Sequence, residues 1–157
     1  MDVVTMVVEI PKGSRNKYEM DHETGEIFLD RMLFTATRYP ADYGFLPNTL
    51  AEDGDPLDAM ALVSEPTFSG CRIRIRPIGL FLMEDQGQAD HKVLGVPLGD
   101  PVWAEAHSLE DVPAHLLKEL EHFFSVYKDL EDKKTATLGW RPADEATVVI
   151  EAARAAY

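Results

Sequence analysis

The chain has 157 residues, 45% hydrophobic and 27% charged, which is long enough for one domain with a real core and ordinary for a soluble protein. A formal net charge of −13 disfavours binding to nucleic acid or to an anionic membrane, unless basic residues are concentrated on one face. No segment approaches the roughly 20 apolar residues of a membrane span, there is no signal-peptide pattern at the start, and the lone Cys71 excludes an internal disulfide. We therefore expect a cytoplasmic protein in which residues 1–157 form a single domain.

The first third of the chain is typical of β-structure. Residues 3–10 predict a strand. Residues 17–20 and 26–29 flank a Gly-containing turn and predict a hairpin. Residues 39–47, rich in aromatics, Gly and Pro, predict a structured loop.

The middle third predicts further strands. Residues 59–63 form an apolar run typical of a buried strand, and residues 71–76 alternate, with isoleucines inward and arginines outward. Pro77 cannot donate to a strand ladder, so we expect an edge position or a bulge there before the strand resumes at 78–83. Residues 92–97 predict one more strand.

The last third changes to a helical period. Apolar residues recur at helical spacing after Pro113, which suits a first helical turn: Leu116, Leu117, Leu120, Phe123, Phe124 and Tyr127. A second helix is predicted from 142 or 143 to about 155. Many strands followed by helices indicate an α+β fold with a β-barrel or a strongly curved sheet.

One stretch carries most of the chemistry. Asp53, Asp55 and Asp58 lie within six residues, separated by Gly54 and Pro56, which favour a bend that could turn all three carboxylates to one side. Three anions in a partly dry pocket repel one another, and Mg²⁺, which takes oxygen ligands, would neutralise them. The spacing does not fit a calcium-binding EF-hand loop. A polar turn before a buried strand remains the alternative.

A second pair of acids strengthens the metal hypothesis. Asp85 and Asp90 flank a turn, so a hairpin would bring them close together, and alternation places Asp90 and Lys92 on one face. Together with lysines, an arginine and tyrosines elsewhere, these acids could serve phosphoryl transfer to water, with metal ions bridging acids and phosphate. A P-loop and a G-x-S-x-G elbow are both absent, and the five histidines form no zinc pair, so surface or satisfied histidines are expected.

The ordered blocks resemble the soluble (family I) inorganic pyrophosphatases of the bacterial type. The resemblance rests on residues 53–58 and on blocks in family order that span residues 9–131: Glu9-Ile10-Pro11, Asn16-Lys17-Tyr18-Glu19, Leu29-Asp30-Arg31, Tyr39-Pro40, Asp42-Tyr43-Gly44, Asp85 with Asp90 and Lys92, and His122-Phe123-Phe124 with residues 127–131. It implies a five-stranded OB-like β-barrel with additional hairpin strands and two C-terminal helices packed outside. It also implies hydrolysis of pyrophosphate to two phosphates with several Mg²⁺, for which Mn²⁺ or Zn²⁺ could substitute, and a homo-hexamer.

The resemblance assigns roles by position. Metal binding falls to Glu9, Glu19, Asp53, Asp58, Asp85 and Asp90. Substrate contacts fall to Lys17, Arg31, Tyr43, Lys92, Tyr127 and Lys128, with Lys92 orienting the acids. Asp55 is expected to accept the proton of the attacking water, and Asp90 is an alternative base.

Two other functions stay open at this point. An OB-type module for oligonucleotides would need a basic groove with stacking aromatics, which the net charge disfavours. A metal-dependent phosphodiesterase for organic substrates is the second alternative.

Overall fold

A computed structural model describes residues 3–157 and shows a largely β structure with two helices in the last third of the chain. In chain order the elements are β1 (Val4–Ile10), β2 (Asn16–Met20), β3 (Ile27–Met32), β4 (Asp42–Phe45), β5 (Asp58–Ala61), β6 (Arg72–Asp85), β7 (Gln88–Ala89), β8 (Lys92–Pro97), α1 (Ala114–Val126), β9 (Thr135–Pro142) and α2 (Ala143–Ala156). Two short 3-10 turns occur at Leu109–Asp111 and Asp129–Glu131. None of the helices in the described residues is long and apolar enough to cross a membrane.

Five of the strands close into a ring. β1 pairs with β4, β4 with β5, β5 with β8, β8 with β6, and β6 returns to β1. Only the β5–β8 pair in this ring is parallel. β7 and β9 extend β6, and β2 and β3 form a separate hairpin. Closure removes the exposed edges of an open sheet, and the ring confirms the predicted α+β fold with a five-stranded barrel.

One glycine controls how closely β4 approaches β1. A Cβ atom placed on Gly44 would lie 1.9 Å from the carbonyl oxygen of Val7, a distance that no side chain tolerates. β1 also carries a register shift between Val8 and Ile10 where it pairs with β4. The close contact seats Tyr43 between Ile10 of β1 and Met60 of β5, and this residue belongs to the candidate site.

Three local predictions need correction or completion. The loop predicted over 39–47 is wrong for Asp42–Phe45, which form β4. The strands predicted on either side of Pro77 are one strand, β6, and the expected bulge is confirmed as a register shift between Pro77 and Gly79 against β8. β9 was not predicted; it pairs along the second half of β6 and separates the two helices.

The core has two apolar clusters, on the two faces of the strands. In the first, Leu120, Phe123 and Phe124 of α1 pack against strand residues such as Met60, Phe81 and Leu94. In the second, Ala146, Ile150 and Ala153 of α2 pack with strand side chains including Val8, Ala59, Ile75 and Val93. Burying each large apolar side chain contributes roughly 1.5–3 kcal/mol. The predicted buried faces of both helices are confirmed, with Leu116, Leu117 and Val149 only partly buried.

Candidate active site

A fully buried lysine lies at the centre of the site. β5 and β8 are parallel and Asp58 is in register with Lys92, so the first residue of each strand lies at the same end of the ring. Lys92 Nζ lies 2.9 Å from Asp58 Oδ2 and 3.2 Å from Asp90 Oδ1, and it donates to Tyr43 Oη at 2.7 Å. Tyr43 in turn donates to Asp58 Oδ2 at 2.9 Å. Although burial alone lowers the pKa of Lys92, Asp58 and Asp90 raise it above the ordinary value, so the ammonium is charged.

Asp90 and Asp53, two of the acids near this lysine, resist ionisation. Burial, together with the neighbouring Asp58, raises the pKa of Asp90 from 3.8 to about 6 despite the attraction of Lys92. Burial, together with Asp55 and Asp90, raises the pKa of Asp53 as well. A single ammonium therefore leaves part of the negative charge uncompensated. Such a group of acids gains from additional positive charge, and carboxylate oxygens are the ligands that hard divalent cations take.

The acidic stretch bends as its Gly and Pro indicate. Gly54 has a φ of +88°, in the left-handed region that glycine adopts without strain. The amide of Asp55 donates to Asp53 Oδ1 at 3.0 Å, and the amide of Ala51 donates to the carbonyl of Asp55 at 2.7 Å. The bend brings Asp53 into electrostatic range of Asp90, whereas the Asp55 side chain is exposed and makes no hydrogen bond or ion pair within residues 3–157.

A cleft of about 330 Å³ opens beside these acids. Its polar wall contains Asp53, Asp58, Asp90, Glu52 and His91. Its opposite wall is apolar and comes from α2, at Val149, Ala152, Ala153 and Ala156.

A second group of charges forms where β1 faces the hairpin. Glu9 Oε2 accepts a hydrogen bond from the amide of Met20 at 2.9 Å. Burial raises the pKa of Glu9. The hydrogen bond from Met20 and the charge of Lys17 lower this pKa, whereas the charges of Glu19 and Asp55 raise it further. Lys17, Glu19 and Asp55 thus each lie within electrostatic range of Glu9, which links the hairpin to the acidic bend.

The end of α1 adds a third group. Lys128 Nζ forms a close ion pair with Asp85 at the end of β6. Tyr127 is buried and packs against Phe123 with tilted rings and against Phe124 edge to face. Burial, then Asp90, Asp85 and Asp58, raise the pKa of Tyr127 well above its usual value. The pKa of Tyr43 is also raised well above its usual value, by burial first and then by Asp58 and Asp90. Both phenols therefore remain protonated and act as neutral hydrogen-bonding groups.

Arg31 is the last of the predicted site residues. It contacts two acids, Asp30 and Glu131, to which the sequence analysis had assigned no role. Arg31 Nη1 donates to Asp30 Oδ2, the oxygen that also accepts from Lys17 Nζ at 3.2 Å. Arg31 Nε lies 2.8 Å from Oε1 of Glu131, whose side chain is only 4% exposed. Asp30 and Glu131 lie inside two of the motif blocks, but only the fold shows that both contact Arg31.

No three His, Cys, Asp or Glu side chains of residues 3–157 are arranged so that they could hold a metal ion as they stand. Three of the acids are instead ion-paired with lysines: Asp58 and Asp90 with Lys92, and Asp85 with Lys128. The histidines do not contribute a cluster either: His22 packs its edge on Phe45, and His115 pairs with Glu119 on the exposed face of α1.

The fold and this set of acids, cations and phenols define a hydrolase. A family model described as inorganic pyrophosphatase matches residues 6–157. The chain belongs to the inorganic pyrophosphatase family, and the predicted resemblance is confirmed. Its activity is the hydrolysis of inorganic pyrophosphate to two orthophosphates, and family membership implies a divalent metal cofactor.

Similar proteins span nearly the whole chain. The inorganic pyrophosphatase of Leifsonia xyli is 51% identical over 153 residues, covering 97% of this chain and 94% of that protein. That of Streptomyces coelicolor is 54% identical over 147 residues, covering 93% and 90%. The crystal structure of inorganic pyrophosphatase from Thermus thermophilus matches with a TM-score of 0.96 and 45% identity, covering 99% of this chain and 91% of that one. These structural neighbours confirm the OB-like character of the barrel.

Proposed function

We propose that this chain hydrolyses pyrophosphate with Mg²⁺, by direct attack of an activated water on phosphorus, as a single domain of residues 1–157 that acts in the cytoplasm as a homo-hexamer. The observation that carries the proposal is the convergence of Asp53, Asp58 and Asp90 on one buried ammonium that does not neutralise them. Mn²⁺ and Zn²⁺ are possible substitutes for Mg²⁺.

The donor set fits a hard divalent cation. Burial first, and then neighbouring carboxylates, raise the pKa values of Asp53, Asp90 and Glu9, so added positive charge would stabilise their ionised forms. Oxygen ligands from a few carboxylates are what Mg²⁺ binds, usually together with water and substrate phosphates. The residues that would hold the metal are Asp53, Asp58, Asp85, Asp90, Glu19 and Glu9. Bound metal would lower the pKa of a coordinated water and offset the charge of the substrate.

The remaining charged and phenolic side chains would orient the substrate. Lys17, held at Asp30, and the neutral phenol of Tyr43 are proposed to contact the phosphoryl group under attack. Arg31, Tyr127 and Lys128 are proposed to stabilise the departing phosphate. Lys92 would keep Asp58 and Asp90 in place through the two contacts described above. Positioning of this kind and charge neutralisation provide most of the acceleration in phosphoryl transfer.

The geometry favours Asp55 over Asp90 as the group that accepts the proton from the attacking water. The carboxylate of Asp55 is exposed at the bend and is unpaired within the described residues, so it is available to accept a proton. Asp90 is already bound to the ammonium of Lys92 at 3.2 Å. A base needs a position within hydrogen-bonding reach of the water and a free lone pair.

The decisive test is phosphate release from pyrophosphate by the purified protein with Mg²⁺, with and without EDTA. We expect release that stops on chelation and returns when Mg²⁺ is restored. Glu65→Gln, which alters an exposed carboxylate outside the cleft, is the matched control and should keep full activity. Release that continues undiminished in EDTA would overturn the metal proposal. Sedimentation velocity tests the hexamer separately, and a monomer at assay concentration would contradict it.

A further inference from the structure

Arg31 is held by two carboxylates that differ in their access to water. Asp30, on β3, has a side chain that is 34% exposed, and it binds both Arg31 and Lys17. Glu131, on the 3-10 turn after α1, has a side chain that is 4% exposed and faces Arg31 Nε at 2.8 Å. An exposed carboxylate exchanges its partners with solvent and ligands easily, whereas a buried one does not.

The burial of Glu131 has a cost that its contacts do not fully offset. Its Oε2 atom is buried and has no hydrogen-bond partner among residues 3–157. The N–H of Arg31 Nε lies close to Oε1 but does not point at it well enough for a hydrogen bond. Replacing a buried ion pair with apolar side chains often stabilises a protein. A carboxylate kept in this position is therefore better explained by its effect on Arg31 than by its contribution to folding.

Asp30 holds the other side of the guanidinium. It accepts a hydrogen bond from Nη1 of Arg31 through the same oxygen that accepts from Nζ of Lys17. If Asp30 released the guanidinium, a small rotation would let Arg31 form two parallel hydrogen bonds to Glu131, the arrangement that guanidinium and carboxylate prefer. Pyrophosphate, with several anionic oxygens, competes for the same two cations that Asp30 holds.

We propose that Glu131 is a positioning residue for Arg31, which it retains at the substrate site while Asp30 gives way to the phosphate. The inference rests on the proposed role of Arg31 in binding substrate. Without the Glu131 charge, the guanidinium of Arg31 forms two parallel hydrogen bonds to Asp30. The substrate must then displace Asp30 from a stronger ion pair before it can bind Arg31. The loss falls on substrate binding and not on the step that follows it.

The test uses the full chain and four variants, of which Arg31→Lys checks the role of Arg31 itself. In Glu131→Gln, which keeps the size of the side chain and removes its charge, we expect KM for pyrophosphate to rise about 10-fold, while kcat changes less than about 3-fold. Adding Asp30→Asn to Glu131→Gln should restore KM to within about 3-fold of wild type, because the competing anion is gone. Asp129→Asn, an exposed residue on the same 3-10 turn, should leave both constants unchanged.

A second readout does not depend on turnover. Calorimetric titration with methylenediphosphonate, a pyrophosphate analogue that is not hydrolysed, should show the same loss in Glu131→Gln and the same recovery in the double variant. Circular dichroism identifies any variant that fails to fold. Wild-type KM and affinity in Glu131→Gln, or a loss that Asp30→Asn does not reverse, overturns the proposal. Unchanged kinetics in Arg31→Lys would instead reject the role of Arg31, and no phosphate release by the wild type would reject the proposed function itself.

Discussion

The buried acid Asp90 gives a stability prediction with an unusual sign. A rise in its pKa from 3.8 to about 6 means that the folded protein binds a proton here more tightly than the unfolded chain does. Asp90 therefore lowers the stability of the folded wild type progressively as the pH rises between 4 and 6, and above pH 7 its full cost is present. That cost is about 3 kcal/mol, from about 1.4 kcal/mol for each unit of pKa. The Asp90 side chain is only 16% exposed, so solvent screens little of it.

Asn mimics the protonated acid without titrating. Asp90→Asn should therefore stabilise the metal-free protein at pH 8 by up to about 3 kcal/mol, which raises Tm by roughly 6–12 °C for a chain of this size. The gain should shrink to about 1 kcal/mol near pH 4.5, because Asp90 is then protonated in the folded wild type and pH 4.5 is less than one unit above the pKa of 3.8 at which it ionises in the unfolded chain. Urea unfolding in EDTA at both pH values, at equal protein concentration, measures it.

The control and the refuting result are both specific. Glu65→Gln removes an exposed carboxylate and should change the free energy of unfolding by less than about 0.5 kcal/mol at either pH. Added Mg²⁺ should reverse the order, stabilising the wild type more than Asp90→Asn, because a ligand stabilises the state that binds it. An Asn variant that is less stable than wild type at pH 8 in EDTA would show that the Lys92 contact outweighs burial, and the reasoning would fail.

Three further changes test the base, the ring and the core. Asp55→Asn should lower kcat by about 10²–10⁴-fold with Mg²⁺ affinity nearly unchanged, by steady-state kinetics and calorimetry; equal losses in both would make Asp55 a metal ligand. Gly44→Ala should destabilise or prevent folding, because its Cβ would meet a backbone oxygen at 1.9 Å, whereas Gly99→Ala, with open space around it, should fold normally by circular dichroism. Leu120→Ala should lower the unfolding free energy by about 2–5 kcal/mol in urea, and a change below 1 kcal/mol would contradict its placement in the core.

The periodic segments could be predicted from sequence because their pattern is local. The alternation of β6 and the helical period of α1 follow directly from which side chains must leave water. β4 and β9 could not be predicted, since β4 has only four residues and contains Gly44, and the exposed positions of β9 include the apolar Ala136 and Leu138. Both are strands because β1, β5 and β6 offer them partners, and that depends on the whole ring.

The same distinction applies to the site. The motif blocks of the sequence could indicate that Asp53, Asp58, Asp90 and Lys92 belong to one site. They could not show that Lys92 is fully buried. All six residues of β8 are buried, so the strand has no alternation of buried and exposed positions from which the burial of one residue could be predicted. The partners of Arg31 were equally out of reach, because Glu131 lies far from it in the chain and comes beside it only when α1 packs on the barrel.

The balance of charge at the acids explains why one lysine, and not two, lies among them. Without Lys92, Asp58 and Asp90 would face each other in a dry site, and removing one member of a buried ion pair typically costs about 3–5 kcal/mol. A second ammonium beside them would complete the neutralisation and leave nothing for a metal to gain. With one, part of the negative charge is offset, yet burial and neighbouring carboxylates still raise the pKa values of Asp53 and Asp90. A divalent cation gains binding free energy by offsetting this remaining negative charge. A cationic side chain introduced next to Asp53 should therefore raise the stability of the fold and, at the same time, weaken Mg²⁺ binding.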